Sequence, residues 1–103
     1  MPPVVYNPAS GTPFPRTGGT IYWYNGHGSH ASKNATSWRL LVGSTSYGED
    51  YHSGNSIPAG NPLRDNVFNR ATPPAGKTCY VVPQYTLSGG GTSYGTITTF
   101  VAD

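Results

Sequence analysis

Cysteine, charged side chains and long apolar runs are all scarce in this chain of 103 residues. The only cysteine is Cys79, which excludes an intrachain disulfide, and its apolar neighbours predict a small buried side chain. No apolar stretch approaches the ~20 residues of a membrane-spanning helix. The 6 lysines and arginines are too few and too scattered for a protein that binds nucleic acid by neutralising its phosphates.

Sustained helical periodicity is also missing, whereas glycine and proline are abundant. The chain holds 14 glycines and 10 prolines, and these residues or asparagine bound every apolar run. Short β-branched or aromatic runs between turn residues are typical of an all-β domain. The aromatic content of 13% and the low net charge of +2 favour a packed chain over a disordered one. We therefore expect one all-β domain over residues 1–103.

The spacing of these runs predicts about seven strands, which fits a two-sheet antiparallel sandwich. The five prolines of residues 1–16 predict an extended arm with a short edge strand. Alternation of side chains predicts that Trp23 and Trp38 lie inside, and Pro83 is expected to bulge or end its strand. The predicted strands are Val4–Tyr6, Thr20–Tyr24, Ser37–Val42, Asp50–Ser53, Asn66–Arg70, Lys77–Val82 and Thr96–Val101.

Several short sequence segments between roughly Pro8 and Ala102 match features of a known type of domain. They are Tyr22-Trp23-Tyr24, the run from Trp38 to Thr45, the run from Gly48 to Gly54, the segment Pro73 to Val81, and Phe100 in the last strand. In these features the chain resembles a fibronectin type III-like module of large secreted bacterial proteins. The resemblance implies an immunoglobulin-like sandwich and a non-catalytic accessory role. It also implies that the core contains Leu40, Val42, Cys79 and Val81.

Candidate catalytic and metal-binding residues are few. A glycosidase needs two carboxyl groups that face each other across a cleft, and a zinc site needs at least three protein ligands. We expect the acidic residues to be solvated turn carboxylates, and we predict no catalytic residue, no metal site and no cofactor. The residues considered are Glu49, Asp50 and Asp65 as carboxylates, and His27, His30, His52, Asp50 and Cys79 as metal ligands.

The eight tyrosines are the most unusual feature of the composition. A phenol ring offers a flat apolar face, on which the C–H face of a sugar can stack, and a hydroxyl that can hydrogen-bond. Alternation places Tyr22 and Tyr24 on the outer face of a strand, while Tyr47, Tyr51 and Tyr94 fall in loops or at strand ends. We expect these five residues to bind a polysaccharide or other glycan.

A structural role is the alternative. An outward Leu41 beside Tyr80 and Val82 would leave an apolar strip, as at many protein interfaces. Such a chain would serve as a spacer, a repeat or a self-assembling filament or adhesin subunit that contacts neighbouring domains or copies of itself. The N-terminus lacks the basic and apolar regions of a signal peptide, which leaves an intracellular protein or a piece of a larger secreted chain. The richness in Ser, Thr, Asn, Gly and Tyr favours the extracellular alternative.

Overall fold

The computed structural model describes residues 3–25, 31–59 and 62–103. These ranges contain ten strands, one single-turn 3₁₀ helix at Ala31–Asn34 and no α-helix. Within them, no helix is long and apolar enough to cross a membrane. The strands are β1 (Val5–Asn7), β2 (Pro13–Phe14), β3 (Gly19–Trp23), β4 (Ala35–Gly43), β5 (His52–Ser53), β6 (Ile57–Pro58), β7 (Arg64–Val67), β8 (Thr78–Leu87), β9 (Thr92–Tyr94) and β10 (Thr98–Ala102).

Each of the seven predicted strands has a counterpart, but β2, β6 and β9 were not predicted. They have only two or three residues, which is too short for a sequence to show alternation. Their pairing with longer strands defines them: β2 lies beside β10, β6 beside β4, and β9 beside β8. The expected strand number is corrected accordingly.

The strands form two sheets, which confirms an all-β, sandwich-like fold. The small sheet has the order β1-β3-β7, and the larger sheet has the order β2-β10-β8-β4-β5, with β6 and β9 beside it. Every pairing is antiparallel except that of β2 with β10, which is parallel. This parallel pair corrects the expectation of a wholly antiparallel sandwich.

One apolar core joins the two sheets. Trp23 of β3 and Trp38 of β4 are both 3% exposed, and their ring centroids lie 6.4 Å apart. The prediction that both indoles lie inside is therefore confirmed. The four positions assigned to the core by the resemblance are also buried: Leu40, Val42, Cys79 and Val81.

Pro83 neither ends nor visibly interrupts β8, contrary to expectation. The Pro83 carbonyl accepts a hydrogen bond from the Gly95 N–H at 2.8 Å, so its peptide atoms face away from β4. Leu40, its partner on β4, likewise turns its carbonyl outward to accept from the Gly54 N–H at 2.9 Å. This is a non-hydrogen-bonded pair, in which the β4–β8 ladder needs no donor from proline.

The outer face of the larger sheet lacks the exposed apolar strip expected from the sequence. Leu41 and Val82 do point outward, opposite each other, but each is only 1% exposed. They lie outside the core that joins the sheets. The short strand β9 adds Tyr94 on this face, opposite Gln84 of β8. Both residues are therefore shielded from solvent, which the pattern along single strands did not indicate.

Candidate functional site

Alternation along β3 places two of the predicted tyrosines on the outer face of the small sheet. Ile21 and Trp23 are buried, so the intervening Tyr22 points outward and Tyr24 follows on the same side. Tyr24 is 45% exposed and Tyr22 is partly exposed. Their predicted position on the outer face is confirmed, whereas their binding of a ligand remains a prediction.

A third tyrosine, Tyr6, joins them from the neighbouring strand β1. The register shifts between Val5 and Asn7, so Tyr6 lies at a bulge, and its ring is 46% exposed. Its centroid lies 4.3 Å from that of Tyr24 with the planes 26° apart, and 6.0 Å from that of Tyr22 with the planes 32° apart. We refer to Tyr6, Tyr22 and Tyr24 as the tyrosine cluster.

Tyr6 was missed as a site residue because the proline-rich arm was interpreted only as an extended edge. A weak signal was available: in a strand that buries Val5, alternation turns Tyr6 outward. Its proximity to Tyr22 and Tyr24 depends on the pairing of β1 with β3, which sequence spacing does not specify.

Polar side chains from β3 and β7 extend the same face. Arg64 is directly opposite Tyr22, and Asn66 is directly opposite Thr20. The intervening Asp65 turns inward, so Arg64 and Asn66 point outward, and both are exposed. The Thr20 hydroxyl donates to Oδ1 of Asn66 at 2.6 Å, which leaves the amide N–H₂ of Asn66 as a donor for a ligand hydroxyl.

The predicted residues Tyr47 and Tyr94 form a separate pair beside the larger sheet. Their centroids lie 4.7 Å apart, but their planes are inclined by 57°, so they do not form one flat surface. Tyr47 is 50% exposed and has a positive φ of 62°, which is uncommon for a bulky residue. The nearby groove has a volume of about 300 Å³ and is lined by Ser37, Trp38, Arg39, Ser56, Gln84, Thr86 and Thr92.

Tyr51 is not at the surface, which corrects its expected placement. It is 8% exposed, and its ring centroid lies 6.3 Å from that of Phe68. Its backbone N–H donates to the carbonyl of Val42 at 3.1 Å, which fixes this segment along β4 and directs the ring into the core. Burial raises the pKa of the Tyr51 phenol. Tyr51 therefore presents no ring face to a ligand, and we leave it out of the proposed site.

Glu49 and Asp50, which the sequence analysis considered as catalytic carboxylates, are both held by hydrogen bonds from neighbouring residues. Oε1 of Glu49 accepts from Nη1 of Arg39 at 2.7 Å and from the Ser53 hydroxyl at 2.8 Å. Asp50 accepts from the backbone N–H of Ser44 at 2.9 Å and from its hydroxyl at 2.7 Å. These hydrogen bonds lower the pKa of both carboxyl groups, the largest effect coming from Arg39 on Glu49 and from Ser44 on Asp50.

His52 is the one histidine within the described residues, and it contacts a carboxylate rather than a group of metal-binding side chains. His52 is buried, and its Nε2 lies 2.8 Å from Oδ2 of Asp65, so this pair links β5 of the larger sheet to β7 of the small sheet. The expectation of a solvated turn carboxylate was therefore wrong for Asp65, which lies within a strand and turns inward. No three histidine, cysteine, aspartate or glutamate side chains come together within residues 3–25, 31–59 and 62–103. The other two candidates, His27 and His30, lie outside the described residues.

The chain matches no protein-family model, no curated protein and no solved structure. The likeness to a fibronectin type III-like module therefore remains a prediction, and any functional conclusion depends on the geometry described above.

Proposed function

We propose that this chain is a non-catalytic accessory module that binds a glycan through the tyrosine cluster. The observation that carries the proposal is the grouping of three phenol rings on an exposed sheet face, where the Tyr6 centroid lies 4.3 Å from that of Tyr24 and 6.0 Å from that of Tyr22. Each ring lies on or directly beside a strand of the small sheet, so the contact surface forms on a rigid scaffold. Thr20 and Asn66 add hydroxyl and amide groups beside it.

The packing of the rings within the tyrosine cluster favours a single glycan chain as the ligand. Tyr6 and Tyr24 overlap face to face at 4.3 Å, so each ring covers part of the other. The exposed parts of the cluster suit one glycan chain or a short oligosaccharide better than the flat surface of a crystalline polymer. Because the rings already restrain each other, binding a sugar requires little further loss of side-chain entropy.

We propose further that the fold is immunoglobulin-like and belongs to an extracellular piece of a larger secreted chain. Strand distribution supports the first part of this proposal. Of the seven strands expected from sequence, the counterparts of the first, second and fifth lie in the small sheet, and those of the third, fourth, sixth and seventh lie in the larger one. Immunoglobulin-type sandwiches divide strands A, B and E from C, F and G in the same way, and the fourth strand lies on the side of strand C′ of the variable type rather than on that of strand D of the constant type. The composition remains the support for secretion.

The experiment is affinity electrophoresis against a panel of soluble polysaccharides, followed by calorimetry on each glycan that slows migration. Tyr6→Ala and Tyr22→Ala should each weaken binding by about 1 kcal/mol or more, which is roughly fivefold. Tyr47→Ala is the matched control, since it removes an exposed phenol beside the other sheet. Thermal unfolding of each variant shows whether it is folded.

Unchanged binding by both cluster variants, or a loss only in Tyr47→Ala, would place the contact elsewhere and contradict the proposal. The alternative of a self-assembling subunit predicts a mass above that of the monomer in light scattering. Burial of Leu41 and Val82 removes the apolar strip that favoured this alternative, so we give priority to glycan binding.

A further inference from the structure

We infer that the tyrosine cluster selects glycans that carry an anionic group, a uronate carboxylate or a sulfate ester, through Arg64. The inference rests on the proposed function and names the ligand class of the same site. It follows from the position of Arg64, from the absence of a carboxylate that could neutralise it, and from the geometry of its guanidinium group.

Arg64 stands at the side of the cluster. It is directly opposite Tyr22 in the antiparallel β3–β7 register, while Tyr6 reaches Tyr22 from β1 on the other side. Cβ atoms of directly opposed residues lie roughly 4.5–5.5 Å apart. A sugar ring placed against Tyr22 is therefore within reach of the long Arg64 side chain.

Within the described residues, which include all 4 acidic residues of the chain, no ion pair joins Arg64 to a carboxylate. Glu49 accepts a hydrogen bond from Arg39 of the larger sheet, and Asp50 accepts one from Ser44, which follows β4. Asp65 turns inward to His52. Asp103 hydrogen-bonds through its backbone N–H to the carbonyl of Phe14, on the larger sheet.

The other outward side chains on the three strands of the small sheet are neutral. Within the described parts of β1, β3 and β7, Arg64 is the only charged residue that points outward. Among the outward side chains of these three strands, a ligand anion at this position meets one exposed cation and no competing carboxylate. The outward-facing neighbours of Arg64 on these strands are Tyr6, Asn7, Thr20, Tyr22 and Asn66.

The chemistry of the two groups makes them complementary to an acidic sugar. The faces of phenol rings are electron-rich, so they attract sugar C–H groups and disfavour an anion placed above them. A guanidinium donates two parallel hydrogen bonds to a carboxylate or a sulfate. A sugar that stacks on the cluster with its anion directed towards Arg64 satisfies both preferences, and a neutral sugar satisfies only the first.

The test uses ligand pairs that differ in charge: polygalacturonate against highly methyl-esterified pectin, and dextran sulfate against dextran. Binding is measured by calorimetry and affinity electrophoresis for wild type, Arg64→Gln, Arg64→Lys and the matched control Lys77→Gln. Lys77 is exposed and lies next to β8 on the larger sheet, so its variant removes the same charge away from the cluster. The two ligand pairs distinguish a carboxylate from a sulfate.

We expect at least one charged ligand to bind about tenfold more tightly than its neutral counterpart. A tenfold difference is the change in affinity that one hydrogen bond between charged groups produces. Arg64→Gln should remove most of this preference while retaining the wild-type melting temperature. Arg64→Lys should restore part of it, and Lys77→Gln should keep it. Raising the salt concentration should reduce the preference in the wild type more than in Arg64→Gln.

Three results would overturn the inference. In the first, charged and neutral ligands bind equally while Tyr6→Ala still weakens binding, so that the proposed function stands without this selectivity. In the second, Arg64→Gln and Lys77→Gln reduce binding equally, which indicates non-specific attraction to the net charge. In the third, single-stranded oligodeoxythymidylate binds as tightly as the acidic glycans, which indicates a nucleic-acid ligand. Failure to bind any carbohydrate would contradict the proposed function itself.

Discussion

Stability at alkaline pH should depend on the single thiol. Cys79 lies in β8 and is 0% exposed. Desolvation is the largest effect on this group and, together with the nearby Asp50 charge, raises the pKa of the Cys79 thiol from 9.0 to about 11. The folded chain therefore retains the thiol proton at a pH at which the unfolded chain has released it.

The sign and size of the effect follow from proton linkage. A raised pKa in the folded state gives stability that is fully present below pH 9.0 and is lost as the pH rises towards about 11. A difference of two pKa units corresponds to about 3 kcal/mol, at ~1.4 kcal/mol per unit. Small domains have only ~5–15 kcal/mol of unfolding free energy, so the loss should be easily measured.

The assay is urea unfolding of the wild type and of Cys79→Ser at pH 8, 9, 10 and 11. The serine hydroxyl does not ionise in this range, and the lysines and the other tyrosines are common to both proteins. Burial, the largest cause of the raised Tyr51 pKa, is also common to both, and the variant removes only the smaller contribution of the Cys79 charge to it. The wild type should therefore lose about 2 kcal/mol more than the variant between pH 8 and pH 11, because at pH 11 about half of the folded-state thiol still holds its proton. Parallel stability profiles would refute the assignment of this pH dependence to the buried thiol.

Three further substitutions test the packing and the polar contacts. Gly95→Ala should reduce the unfolding free energy by about 1–3 kcal/mol, because the new Cβ would lie 2.5 Å from the backbone oxygen of Pro3 in the N-terminal arm. Gly89→Ala is the control: its Cβ would have nothing within 4 Å, so the melting temperature should stay nearly unchanged. Asp65→Ala leaves the buried ring of His52 without its 2.8 Å partner and should cost about 1–3 kcal/mol in urea unfolding, with a smaller loss in Asp65→Asn. Glu49 has a lowered pKa, so its stabilisation is present above pH 4.5 and lost on acidification; Glu49→Gln should flatten the stability profile below pH 4.5, and an unchanged acid slope would contradict this.

Residue alternation was sufficient to predict much of the scaffold. Trp23 and Trp38 are large, apolar and placed between polar or phenolic neighbours, so one face of each strand had to be buried. The same argument correctly placed Tyr22 and Tyr24 on the outer face. It worked because β3 and β4 are long enough to show a period of two.

Alternation was not sufficient for shorter segments. Tyr51 precedes a strand of only two residues, and its burial depends on how this segment pairs with β4. Tyr6 lies at a bulge, where the register changes. Pro83 appeared to be a strand breaker because the sequence does not indicate which side of β8 its peptide group faces. In each case the deciding factor is a partner strand distant in the sequence.

The sequence by itself determined the all-β class, the two buried indoles and the surplus of phenols, because local alternation and turn residues specify which side of a strand is apolar. Only the tertiary structure decided which tyrosines meet, that Tyr51 is buried, and that Arg64 lies opposite Tyr22. These contacts join strands far apart along the chain, and their register is set by cooperative packing of both sheets on one core.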